Sequence, residues 1–247
     1  MINVIHGSHH PVFTYEAEYD GPPLDHWGGL TPDENGEPNT PQLIQNKFFL
    51  GYALTDKVSL GLTAESYLYP LSNQTGKLWQ WNDPYFHLRG KKIVKLGDVH
   101  LSGGLRFYLP LSGNSRSKNL EFAIRSDQHL VYSLGLFSMG NKSMLRWNRY
   151  GDSKTREDFK GFLKPWIGYE FARQAKAVLL FEYDFTHTLG KSLGVWQTSG
   201  ASLQPGLDWD VFGHFNIRPY FVVQTRGKIN LSSSYFVTEL EWKTFLD

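Results

Sequence analysis

Residues two apart on an extended chain point the same way, so a histidine two positions before a serine can act on it as base on nucleophile. His100-Leu101-Ser102 has that spacing. Charged residues also recur at even spacing, which gathers them on one face of whatever strand carries them. The basic sets are Lys160 with Lys164, Arg89 with Lys91, and His100 with Arg106. The acidic sets are Glu16 with Glu18, Glu182 with Asp184, Asp208 with Asp210, and Glu239 with Glu241, while Glu65 and Arg218 stand singly. Gly190-Lys191-Ser192-Leu193-Gly194 matches the glycine-flanked serine of a nucleophile elbow. That motif needs a strand before it and a helix after it, so here it reads as a Gly/Ser loop. His6, His9 and His10 lie at a terminus too frayed to fix a metal. His87 reads as one more hydrogen-bonding residue near Arg89. With no Walker loop, no H-E-x-x-H and no cysteine, neither a cofactor nor a metal is expected.

The elements that must carry these residues follow period two. In 58–69, Leu60, Leu62, Ala64 and Leu68 fall on one face and Ser59, Gly61, Thr63 and Glu65 on the other. Phe48, Leu50, Tyr52 and Leu54 alternate likewise before the turn Thr55-Asp56-Lys57. The same alternation puts Val99, Leu101, Leu105 and Phe107 opposite His100, Ser102 and Arg106, and Leu179, Phe181 and Tyr183 opposite Glu182 and Asp184. Strands are predicted to begin near Val12, Leu43, Val58, Pro84, Val99, Gln128, Ser143, Phe159, Ala177, Leu203, Ile217 and Ser233. Short turns are predicted at Thr55-Asp56-Lys57, Leu96-Gly97, Gly140-Asn141-Lys142, 173–176 and Gly213-His214. Long polar loops are predicted at 20–41, 70–82, 112–119, 151–158 and 188–202.

Composition removes several classes. The chain has 247 residues, net charge +1 and no cysteine, so it lacks the basic excess of a nucleic-acid binder and any disulfide framework. No apolar run approaches the roughly 18 residues of a membrane helix. The first residues carry neither the basic nor the apolar region of a signal peptide, as would a mature chain given a new initiator Met.

About twelve strands, with connections alternating between short and long and aromatic residues such as Tyr67, Tyr69, Trp79, Trp81, Trp209 and Trp242 toward strand ends, form the pattern of a membrane barrel. In this architecture, though in no family motif, the chain resembles a Gram-negative outer-membrane β-barrel over nearly its whole length. It departs at the end, where such proteins commonly finish on an aromatic residue and here Phe245 precedes Leu246 and Asp247. The resemblance implies an all-β fold: one antiparallel transmembrane barrel domain, 1–247, with an arm at 1–10, short periplasmic turns and long extracellular loops. It also implies an outer-membrane location and contact with outer-membrane lipid.

On this reading the apolar face meets lipid and the other lines a lumen. Glu65, Arg89, Arg106, Lys160, Lys164, Glu182, Asp184, Asp208, Asp210, Arg218, Glu239 and Glu241 are the candidate lumen and solute-binding residues. The basic members come from middle strands and the acidic ones from the last strands and the first, neighbours after closure, which sets a transverse field across the lumen. Arg218, on an acidic stretch, is the charge expected to pair rather than conduct. The favoured function is a passive channel for small polar or charged solutes, with no nucleic-acid partner. Two alternatives remain open. One is a lipolytic hydrolase using His100 and Ser102, since outer-membrane phospholipases carry His-x-Ser with an Asn further on, comparable to Asn114; here Gly103 stands where that motif has Asn. The other is a sealed barrel whose charges pair across it and whose loops serve structure or recognition.

Overall fold

A computed structural model describes residues 10–23, 43–68, 79–152, 154–211, 215–225 and 230–245. The N-terminal arm, most of the first long loop, most of 70–82, the Gly213-His214 turn and the last two residues lie outside them.

Thirteen strands are described: β1 (Pro11–Pro23), β2 (Leu43–Ala53), β3 (Val58–Leu68), β4 (Trp79–Trp81), β5 (Tyr85–Leu96), β6 (Val99–Tyr108), β7 (Leu120–Leu134), β8 (Phe137–Tyr150), β9 (Glu157–Ala172), β10 (Ala175–Thr188), β11 (Gln197–Asp210), β12 (Phe215–Gln224) and β13 (Asn230–Phe245). One short helix, α1 (Gly113–Ser117), joins β6 to β7. Consecutive strands pair antiparallel, β3 pairing with both β5 and the short β4. β1 pairs with β13 from Val12↔Phe245 to Asp20↔Val237, which closes a twelve-stranded ring with β4 as an addition. Closure pairs each of the twelve ring strands on both sides, the condition for strands to cross hydrocarbon.

The two faces are inverted relative to a water-soluble protein. Leu50, Leu60, Leu62, Leu105, Phe107, Leu179 and Phe181 are exposed, Leu50 to 60%, whereas Thr63, Ser202 and Gln204 are buried inside the ring. A continuous apolar exterior of this extent marks a surface meant for a nonaqueous medium.

Most predicted strand starts lie within a few residues of the observed ones, with three differences. β7 and β11 begin earlier, at Leu120 and Gln197, where the polar composition hides the alternation. The 112–119 loop holds α1, whose first turn is fixed by Ser112 Oγ accepting from the Ser115 amide at 3.2 Å. Gly140-Asn141-Lys142 is no turn but part of β8, and the chain reverses instead at Gly135, whose φ is +58°. Gly140 is required by close approach: a Cβ there would lie 2.8 Å from the Trp166 indole nitrogen and 2.2 Å from the Leu130 carbonyl oxygen.

Candidate functional site: a charged barrel interior

Inside the ring, the β2 to β6 wall carries an aromatic shelf. Register sets Phe49, Thr63, Tyr85, Tyr108 and Ala123 side by side from β2 to β7, all of them buried. The Phe49 ring lies flat against the wall because Gly51 and Gly61 leave it room; a Cβ on either would come within 2.8 Å of that ring. Three arginines rest on the shelf: Arg89 is 3.8 Å from the Phe49 centroid, Arg106 5.1 Å from Tyr85 and Arg146 4.4 Å from Tyr108. Each guanidinium is held by a ring quadrupole instead of by a carboxylate alone. Arg106 also donates to the Tyr85 hydroxyl at 2.9 Å, and Arg89 to His87 Nδ1 at 3.0 Å.

Above the shelf, register places His87, Arg106, Arg125, Arg146 and Lys160 directly opposite one another on β5, β6, β7, β8 and β9. Neighbouring strands are about 4.8 Å apart, and like charges directly opposite are unfavourable. Asp127 relieves one end of this row, 2.8 Å from Arg106 and 2.6 Å from Arg125. Arg146 donates to Asn148 at 2.8 Å, and neither it nor Lys160 has an ion pair among the described residues. Four residues nearer the short turns, His129, Lys142 and Lys164 form a second row on β7, β8 and β9, which ends in the Lys164–Glu182 pair at 3.0 Å.

The facing wall is acidic and largely paired. Glu16 opposes Glu241 and Glu18 opposes Glu239 between β1 and β13, two more like-charge contacts. Arg218 from β12 answers them, 3.1 Å from Glu239, 2.9 Å from Glu241 and 3.5 Å from Asp208. Lys47 reaches Glu18 and Arg89 reaches Glu16, both at 3.9 Å. Asp208 also accepts from Asn216 at 2.6 Å, and Glu182 from Gln204 at 2.5 Å. Asp210 lies at the short-turn end of β11, and its amide donates to the Gln174 carbonyl. Glu65 is buried in a local cluster, accepting from Gln45 and, at 2.9 Å, from Asn82.

Three adjoining cavities run between these walls. One of 400 Å³ near the short turns is bounded by His100, Lys142, Asp208, Arg218 and Glu239. It shares Lys142, Arg218 and Glu239 with a second of 320 Å³ that reaches Glu16, Glu18 and Lys47. It shares Lys164, Gln204 and Tyr220 with a third of 360 Å³ toward the long loops, where Asp184 and Tyr235 stand.

His100 and Ser102 share a face, yet the structure gives them separate tasks. Ser102 Oγ accepts from the Lys92 amide at 2.9 Å, supporting the bulge between Gly90 and Val94, and His100 lines the first cavity. No hydrogen bond joins them among the described residues, and Asn114 sits in α1 beyond the opposite end of β6. Sequence reasoning missed Arg125, Asp127, Lys142 and Arg146. Arg125 and Asp127 have the same even spacing as the residues it found, but they lie between the loop predicted at 112–119 and the strand start predicted near Gln128, in a stretch assigned to neither.

No protein-family model and no curated protein matches the sequence. Solved structures do match the fold. A crystal structure of an outer membrane channel from Pseudomonas putida F1 aligns with a TM-score of 0.57 at 10% identity, covering 100% of both chains. The NanC porin aligns with a TM-score of 0.53 at 8% identity, over 95% of this chain and 100% of that one. The fold is that of outer-membrane barrels.

Proposed function

We propose that the chain is an outer-membrane channel through which small anionic solutes diffuse. Its apolar exterior contacts lipid, its short turns face the periplasm and its long loops face outward. The observation that carries this reading is the row Arg106, Arg125, Arg146 and Lys160, aligned across four consecutive strands with Asp127 as its carboxylate partner. Such a row opposes folding, since each cation faces another at about one strand spacing. An anion entering between the strands' inner faces removes that repulsion at each step. The neighbouring cavities of 400, 320 and 360 Å³, lined by His129, Lys142 and Lys164 of the second basic row and by the facing acidic wall, offer room for a solute of a few heavy-atom groups. Pairing of Arg218, Lys47 and Lys164 with carboxylates keeps the opposite wall from becoming an equally strong cation path.

The test is single-channel recording in a planar bilayer, using protein whose folding is established by heat-dependent mobility on a gel. Discrete conductance steps and a reversal potential of anion-selective sign under a salt gradient are expected. Silence from folded protein would make the barrel a sealed one, and cation selectivity would overturn the role given to the basic row.

A further inference from the structure

The serine-containing loop that follows β10 is fastened to the outside of the barrel by a buried histidine. His187 opposes Phe159 in the β9–β10 register, on the face away from the basic row, and is 2% exposed. β9 and β10 are 16 and 14 residues long, and a tilted crossing needs about 9 to 11. His187 is the next-to-last residue of β10 and stands at its long-loop end, the rim of the barrel. Loop 189–196 folds back over it, with the Trp196 ring 5.4 Å from the imidazole, 5.4 Å from Phe185 and 6.0 Å from Phe159.

Both ring nitrogens are engaged. Nδ1 lies 2.6 Å from Asp158 Oδ1, and Nε2 lies 3.1 Å from the backbone carbonyl oxygen of Ser192. A carbonyl oxygen only accepts, and so does an ionised carboxylate, so both contacts are hydrogen bonds only when both nitrogens carry protons. The state in which both bonds are made is thus the imidazolium. This contact is no nucleophile–base pair, because the serine hydroxyl is turned away, accepting from the Gly194 amide at 3.5 Å.

We propose that Asp158 and His187 form a protonation-dependent latch that holds loop 189–196 against the outer rim of the barrel. The other charged groups on the packed elements leave His187 to Asp158. Arg156 pairs with Asp152 at 3.2 Å, while its carbonyl accepts from the Leu189 amide. Glu157 opposes Thr188 across the bulge, and Lys160 belongs to the inner face opposite Thr186. Lys191 lies in the loop itself, its amide donating to the Thr188 carbonyl at 3.0 Å, and the β11 side contributes Trp196 and Gln197, neither of them ionisable.

The hydrogen bond to Asp158 raises the histidine pKa above its ordinary value, with burial opposing and the Ser192 carbonyl adding to it. A raised value means the latch is complete at acidic pH and is lost as pH climbs through that value. On losing a proton the ring keeps Nδ1–H for the carboxylate. Nε2 then presents a lone pair to the Ser192 carbonyl, two acceptors face each other, and the loop is released with Leu193, Val195 and Trp196.

Hydrogen exchange of the full chain in micelles or liposomes, read by mass spectrometry and corrected for the intrinsic rate, tests this. The Leu189, Lys191 and Val195 amides of the latched loop donate to the carbonyls of Arg156, Thr188 and Ser192. Their protection should drop about tenfold or more between about pH 5 and pH 9, with a midpoint above the ordinary histidine value. Asp158→Asn should move that midpoint down, and His187→Ala should exchange fast at every pH. A flat wild-type profile, or an unmoved midpoint in Asp158→Asn, would overturn the latch. Heat-dependent gel mobility establishes that each variant is folded.

Discussion

Arg146 and Lys160 are the two cations of the basic row that stand without an ion pair among the described residues, so replacing both with glutamine reads the field of the row most directly. An ion about 6 Å from one such charge in a water-like lumen has an interaction of about 0.7 kcal/mol, which salt near 0.1 M cuts to about 0.4 kcal/mol. An anion gains that amount and a cation loses it, so each charge separates them by about 0.8 kcal/mol. At about 1.4 kcal/mol per factor of ten, that is about fourfold in the anion-to-cation ratio, and about 14-fold for Arg146→Gln with Lys160→Gln together. The assay is the reversal potential in a planar bilayer under a salt gradient. Stability should hardly move, because the lost cation–π contact with Tyr108, worth about 0.5–1 kcal/mol, is offset by relief of the like-charge contact. A folded double variant whose ratio changes less than about twofold refutes the calculation and the premise that these charges face the solute.

Asp127→Asn removes the carboxylate shared by Arg106 and Arg125 and leaves four cations in register. It should cost about 3 kcal/mol in denaturant unfolding, and adding Arg125→Gln should recover part of the loss; strictly additive losses would deny the coupling. Gly61→Val should destabilise by about 3 kcal/mol, since its Cβ would meet the Leu50 carbonyl oxygen at 2.3 Å and the Phe49 ring that carries Arg89. Gly113→Ala, whose Cβ meets nothing within 4 Å, should stay within about 0.5 kcal/mol in the same unfolding assay.

The outward face could be read from sequence because lipid asks one simple thing of it. Leu50, Leu60, Leu62, Leu105 and Phe107 need only be apolar at every second position, and that demand survives in a one-dimensional pattern. The inner face obeys no single rule. Phe49, Tyr85 and Tyr108 are as apolar as their outward neighbours, yet they point inward to form the shelf, so a rule of polar residues inside cannot find them. Lys142 was hidden for another reason: Gly140 and Asn141 have the composition of a turn, and only the close approach of the Trp166 indole and the Leu130 carbonyl explains a glycine in mid-strand.

Spacing within a strand tells which face a charge occupies and nothing about its level against the next strand. Arg106, Arg125, Arg146 and Lys160 are 19, 21 and 14 positions apart in sequence, intervals with no shared period. Only the hairpin registers bring them level. This alignment is also why the row bears on function. A paired set such as Arg218 with Glu239 and Glu241 supports the wall by itself, and its presence needs no solute. A row of like charges opposes the fold that holds it, and sequences retain such local conflicts chiefly where a site requires them. The unpaired cations therefore weigh more heavily in assigning the proposed anion path than the larger number of charges that have partners.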